Sequence, residues 1–218
     1  ADMPAESGLS NVTFTDAVER GTYAVAITSL ATSGTIAATV ASAGFPKTIS
    51  SSNNDFQMTV DGTASGTITL TSQAYANLGV LATEMQTRIN ADATLRAAGK
   101  SVTVSVSGDD LEIRSNSVGS TSTVQITNSG GDSTITTLGL DSPTTTNGTD
   151  LVGTIGGVAG VAEGNVLTGA ASSGTAGITG EVSSTTGGNI TISDGVVDQI
   201  DTLLASFLAT DNTIDSRI

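Results

Sequence analysis

Ala97-Ala98-Gly99-Lys100-Ser101 is the stretch of this chain that comes nearest to a chemical signature, because it ends like a phosphate-binding loop. A phosphate-binding loop needs a glycine five residues before Gly99, and that position holds Thr94. It also needs a strand before it and a helix after it, whereas here a helical pattern precedes and an alternating one follows. The better reading is a helix stop, with Gly99 at the position where a missing Cβ relieves the left-handed turn. Gly153-Thr154-Ile155-Gly156-Gly157-Val158-Ala159-Gly160 lacks the G-x-G-x-x-G spacing of a dinucleotide loop, and no amphipathic helix follows it. Its glycines suit turns with φ > 0 or close strand contacts.

Serine is abundant, but a Ser–His relay needs an imidazole and the chain has no His. A Ser–Lys pair can draw only on Lys47 and Lys100, and neither carries a supporting signature. Asp109 and Asp110 could join a calcium site, which takes about six to eight oxygen ligands. No spaced Asp/Asn loop surrounds them, so an acidic hairpin turn is the simpler expectation. Asn11-Val12-Thr13, Asn147-Gly148-Thr149 and Asn189-Ile190-Thr191 match the N-glycosylation pattern. In a chain with 64 Ser plus Thr such matches arise by chance. The residues therefore predict no catalytic set, no cofactor and no metal, and hence no enzyme.

Composition points the same way. There is no Cys, which excludes disulfides and, together with the missing His, the soft and imidazole metal sites. Arg20, Lys47, Arg88, Arg96, Lys100, Arg114 and Arg217 are scattered, so they form no footprint for nucleic acid and no polybasic patch for lipid. No run approaches the ~18 apolar residues that span a bilayer. The net charge of −14 favours solubility and repulsion between monomers. Ala1-Asp2-Met3-Pro4 is not a charged-then-apolar signal peptide. Zero Cys also suits a chain exported unfolded.

Charged residues make up 13% of the chain and aromatics 3%, against 26 Gly and many Thr and Val. That describes a folded, turn-rich β protein with an aliphatic core and not a disordered one. Residues 1–10 read as a loose lead-in. Tyr23–Ile27 and Thr35–Val40 read as strands, broken by Gly44-Phe45-Pro46-Lys47. From Asp55, Phe56–Val60 alternates, Asp61-Gly62 turns and Thr67–Leu70 alternates again. Leu78, Leu81, Met85 and Ile89 then fall at helical spacing, a short turn around Leu95 stops at Gly99, and Val102, Val104 and Val106 line one strand face. Gly108-Asp109-Asp110 turns the chain into Leu111–Ile113, and Thr123–Thr127 is a further strand. Residues 141–150 read as a linker or long turn. Val166-Leu167, Ile178, Val182 and Ile190–Ile192 mark strands in a Gly-rich stretch.

The end changes character. Val196, Val197, Ile200, Leu203, Leu204, Phe207 and Leu208 lay a broad apolar stripe on a helix of about four turns. Ser193 or Asp194 can cap it, Asp198 and Asp201 sit where the dipole favours them, and Asn212 is a stop. Val197, Ile200, Leu204, Phe207 and Leu208 are the candidate packing or subunit-contact face. They could meet this chain's own β domain, another helix or a neighbouring subunit.

Three stretches resemble the bacterial flagellar filament cap family, also called hook-associated protein 2. Gly21-Thr22-Tyr23-Ala24-Val25-Ala26-Ile27-Thr28-Ser29-Leu30-Ala31 is similar to the family's "G-x-Y-x-V-x-V-x-x-L-A" strand. Ile89-Asn90-Ala91-Asp92, through Leu95 and Gly99 to Val102-Thr103-Val104, resembles the "IN" motif shared by axial flagellar proteins. Leu111–Ser115, Gly119-Ser120 and Ser122–Val124 continue it. Gly153–Gly157 with Leu167-Thr168-Gly169, then Gly195 onward and Ile214–Arg217, resembles the junction of head and leg.

The resemblance implies a mainly β fold with some α: two β-rich head domains, one inserted in the other, followed by the start of a helical leg. Residues 10–54 with 143–193 would form the proximal head domain, 55–142 the inserted distal one, and 194–218 the leg. It further implies an extracellular place at the flagellum tip, export without a cleaved signal peptide, and a capping role that helps exported flagellin fold and insert. The implied partners are further copies of the chain in a ring, flagellin and the hook-associated junction proteins, with neither nucleic acid nor membrane. The alternative of another class is an extracellular adhesin or receptor-binding β domain, whose partner would be a host glycan or mucin and which could coexist with capping.

Overall fold

The computed structural model describes residues 8–15, 18–40, 44–141, 143–193, 200 and 203–206. The fold is mainly β, and the chain forms two compact units. The first comprises the residues up to Thr28, Gly153–Val161 and those from Leu167 onward; the second comprises Ser29–Val152 and Ala162–Val166. The chain thus leaves the first unit, builds most of the second, returns, and passes through the second once more at Ala162–Val166.

The second unit is built on a hairpin. Asp55–Val60 pairs with Thr63–Ala64 in the register Val60↔Thr63, so Asp61 and Gly62 alone make the turn. Both have positive φ, 48° and 78°, the two-residue turn whose twist matches the strands. Asp55–Val60 also pairs with Val124–Asn128 and, through Asp55 and Phe56, with Ile68–Thr69. A second sheet runs in the order Thr144–Thr146, Thr35–Thr39, Asp110–Ser115, Val102–Ser107. The helix Leu78–Ala91 starts at Asn77, whose side chain accepts from Val80 N at 3.0 Å. Its Leu78, Leu81, Met85 and Ile89 are all buried, as their spacing predicts. They enter one cluster with Ile36, Phe56, Met58, Tyr75, Leu111, Ile113, Val124 and Leu138. Burying such side chains contributes about 1.5–3 kcal/mol each and dominates the stability of the unit.

The first unit has an aliphatic core of its own residues, with Leu9, Val25, Ile155, Leu167, Ile178, Val182, Ile190 and Ile192 buried. Leu9–Thr13 pairs antiparallel with Thr179–Val182. Gly21–Ser29 lies between Gly188–Ile192 and Val152–Ile155, with Val158–Ala159 outermost. Thr22 faces Thr191 in register, their hydroxyls 3.2 Å apart, a cross-strand pair of the kind that fixes alignment.

The arrangement differs from the sequence reading in three elements. Leu9 and Ser10 are already in a strand, where a loose lead-in is expected, because a partner some 170 residues away completes their ladder. Thr144–Thr146, within the expected linker, is a strand against Thr35–Ala37. Thr134–Leu138 is a short helix that no periodicity announces. The pairing of Thr35–Thr39 with Arg114–Asp110 puts that segment in the second unit.

Candidate interaction surfaces

The residues that could have done chemistry are committed to structure. Gly99 has φ 67°, its N–H donates to the Arg96 carbonyl at 3.0 Å, and Lys100 N donates to the Leu95 carbonyl at 2.8 Å. This is the bond pair that closes a helix on a left-handed glycine, so the stretch is a helix stop. Lys100 Nζ reaches Asp61 Oδ2 at 3.3 Å. The same carboxylate accepts from Thr123 N at 3.0 Å, from Ser115 Oγ at 3.1 Å and from Ser117 Oγ. The Asp61 side chain is 4% exposed. Burial alone would raise its pKa, but the hydrogen bonds from Ser117, Thr123 and Ser115 and the Lys100 charge outweigh it and hold it below the ordinary value.

Lys100 and two serines thus share one site, as a Ser–Lys pair would require, yet the chemistry is different. The Lys100 ammonium is directed at the Asp61 carboxylate. Both hydroxyl protons go to the carboxylate, so the cluster fastens the turn at Asp61 to the loop that runs from Ser115 to Thr123. Lys47 is engaged elsewhere, donating to the Thr137 carbonyl at 2.9 Å with its ammonium 5.9 Å from the Phe45 ring centre.

Gly108-Asp109 turns the strand pair Ser107↔Asp110, as the acidic-turn reading expects. The Asp109 carbonyl accepts from Val40 N at 2.7 Å, and Asp110 Oδ1 accepts from Thr39 Oγ1 at 2.7 Å. Among the described residues no three His, Cys, Asp or Glu side chains are grouped to hold a metal ion, and no helix is long and apolar enough to cross a membrane. Gly156 and Gly157, with φ 62° and 78°, make the turn between Ile155 and Val158. A Cβ on Gly153 would lie 2.9 Å from the Ala26 carbonyl oxygen, so this glycine serves close strand approach and not a nucleotide. Asn11, Asn147 and Asn189 are all exposed. An open depression of about 640 Å³ lies beside Ala37, Thr39, Asp110, Asp141 and Thr144.

Of the candidate helix face, Ile200 and Leu204 are helical, with Leu203 beside them, and they are 56%, 55% and 57% exposed. Val197, Phe207 and Leu208 lie outside the described residues. Three side chains position the fold in a way that the sequence reading did not assign. Asn90, the asparagine of the "IN" motif, and Gln86 bind the backbone of Val102 and Val104. Asp92 accepts from Thr94 N and Leu95 N, capping the short helix Ala93–Ala97, and its other oxygen accepts from Gly66 N at 3.1 Å. Their type and place ahead of a helix or strand start are the only signals the sequence offers.

No family model matches the sequence, and no curated protein matches it. Solved structures do match. The D2-D3 domains of the flagellar cap protein FliD from Escherichia coli superpose with a TM-score of 0.55 at 18% identity, over 88% of this chain and 97% of theirs. The D2-D3 domains of the flagellar cap protein from Serratia marcescens give 0.53 at 15% identity, over 85% of this chain and 99% of theirs. FliD (HAP2) from Pseudomonas aeruginosa PAO1 gives 0.55 at 19% identity, over 96% of this chain and 97% of that one. Likeness of this extent, end to end at low identity, is likeness of architecture: the chain has the fold of the D2-D3 head domains of bacterial flagellar cap proteins.

Proposed function

We propose that this chain is the head region of a flagellar filament cap, placed outside the cell at the growing tip, where it shelters exported flagellin while that protein folds and inserts. The observation that carries the reading is the match across nearly the whole length of several D2-D3 head structures. The three sequence stretches that resemble the cap family add to it, and they fall in both units. Holding a partner in one conformation needs only differential contact, with no bond made or broken. A surface rich in Ser and Thr with few charges suits modest, exchangeable contacts. Further copies of the chain in a ring, flagellin and the hook-associated junction proteins are its partners on this reading.

Deletion of the gene that encodes this chain tests the proposal. Cells should lose long filaments and release unassembled flagellin into the medium, and the intact gene should restore both. Filaments of ordinary length in the deletion strain would contradict it.

A further inference from the structure

Asn147-Gly148 is the one Asn-Gly pair in the sequence. In such a pair the backbone nitrogen attacks the preceding side-chain amide most readily, because glycine puts no side chain in the way. Here the glycine is required by packing. Gly148 is buried, and a Cβ on it would lie 2.5 Å from the Thr32 carbonyl oxygen and 2.9 Å from Ser122 Cβ, and would also run into the Gly119 carbonyl oxygen. Gly148 N donates to the Ser122 carbonyl at 2.9 Å. The chain is held on both sides of the pair. Thr146 is in register with Thr35, Thr149 N donates to Thr32 Oγ1 at 2.9 Å, and the Thr149 carbonyl accepts from Thr32 N at 2.9 Å. Asn147 itself is exposed.

Attack on the side chain begins with loss of the Gly148 N–H proton to hydroxide. That proton lies in the bond to Ser122, on a buried residue, so it leaves only from molecules in which this stretch has opened. The folded chain presents the amide carbon and withholds the nucleophile. In the unfolded chain both are free.

We propose that Asn147 is a deamidation site that the native fold keeps silent and that converts while the chain is unfolded. The deprotonated Gly148 nitrogen bonds to Asn147 Cγ, the bond from Cγ to the side-chain nitrogen breaks, and that nitrogen takes up a proton and leaves as ammonia. Water then opens the cyclic imide at one of its two carbonyls, which leaves either aspartate or isoaspartate. Aspartate fits an exposed position. Isoaspartate adds a methylene to the main chain between Thr146 and Gly148, and the packed site of Gly148 has no room for the displacement. Conversion to isoaspartate therefore limits how long a chain can stay unfolded and still reach this fold.

Peptide mass mapping of the whole chain, aged in mildly alkaline buffer with and without unfolding guanidinium chloride, tests it. In denaturant the peptide that holds Asn147 should gain the mass of deamidation before any other asparagine peptide. In native buffer its conversion should be about tenfold slower or more, because the opened form is a minor population. Asn147→Asp carries the new charge without the added methylene. The isoaspartate fraction of the aged chain, separated by chromatography and returned to native buffer, should unfold at lower denaturant than Asn147→Asp or fail to refold. Equal rates with and without denaturant would overturn the proposal. So would earlier conversion of another asparagine in the unfolded chain, or an isoaspartate fraction whose unfolding midpoint matches that of Asn147→Asp.

Discussion

Asn90 and Val102 are joined by two hydrogen bonds, each 2.8 Å long: the Asn90 Nδ2 donates to the Val102 carbonyl, and Val102 N donates to Asn90 Oδ1. A side-chain amide here replaces a neighbouring strand. One helical turn back, Gln86 Oε1 accepts from Val104 N at 2.7 Å. Val102–Ser107 is the outer strand of its sheet, so these two side chains occupy backbone groups that would otherwise invite another chain.

Asn90→Ala leaves a donor and an acceptor without partners at a part-buried edge. It should lower unfolding free energy in urea by about 1–3 kcal/mol. It should also increase association at high concentration, read by light scattering. An unchanged urea midpoint would show that water replaces the amide at no cost.

Asp61 predicts an acid limb. Its pKa is held below the ordinary carboxylate value in the folded chain, so its contribution is fully present above an unfolded value of about 3.9. It is lost as pH falls through the lower, folded value. Asp61→Asn cannot accept both serine hydroxyls and the Lys100 ammonium. The variant should be less stable at pH 7 and should lose stability less steeply in acid. Some slope should remain, because Glu84 is also held low: burial raises its pKa, but the bonds from Arg88 and Thr71 outweigh this. Equal acid slopes in variant and parent, by urea melts from pH 7 to pH 2.5, would contradict the assignment.

Two glycines should respond differently to alanine. At Gly99 a Cβ meets nothing within 4 Å, and only the positive φ of 67° opposes it. Gly99→Ala should therefore cost about 1 kcal/mol. At Gly169 the Cβ would lie 2.6 Å from the Thr175 carbonyl carbon, which forces the backbone apart. Gly169→Ala should cost more, about 1–3 kcal/mol or beyond. Thermal melts of both variants give the comparison.

Ile200 and Leu204 are more than half exposed, so Ile200→Asp with Leu204→Asp should change the stability of this chain by no more than about 0.5 kcal/mol. If the stripe is a subunit face, the same pair placed in the full gene product should reduce its assembly in sedimentation. A large loss of stability in the chain itself would place the stripe against its own core instead.

Some of this architecture was legible in the sequence because it is local. The helix Leu78–Ala91 declared itself through four apolar residues at helical spacing, and the Asp61-Gly62 turn and the Gly99 stop through residues that tolerate positive φ. What depends on distant pairing was not legible. Thr144–Thr146 has no alternation to betray it and becomes a strand only because Thr35–Ala37 lies open beside it. Thr134–Leu138 is rich in β-branched threonine and its Ser133 makes no capping bond, so propensity argues against a helix that the buried Ile135 and Leu138 enforce. The Asp61 cluster was hidden for the same reason: its turn was visible, but Ser115, Ser117 and Thr123 reach it from more than fifty residues away.

Immunogold labelling of intact filaments, with an antibody raised against residues 55–140, asks most directly whether this head is a cap. Label should fall at the distal end of each filament and nowhere along its length. Label spread along the shaft, or confined to the cell body, would contradict the proposal.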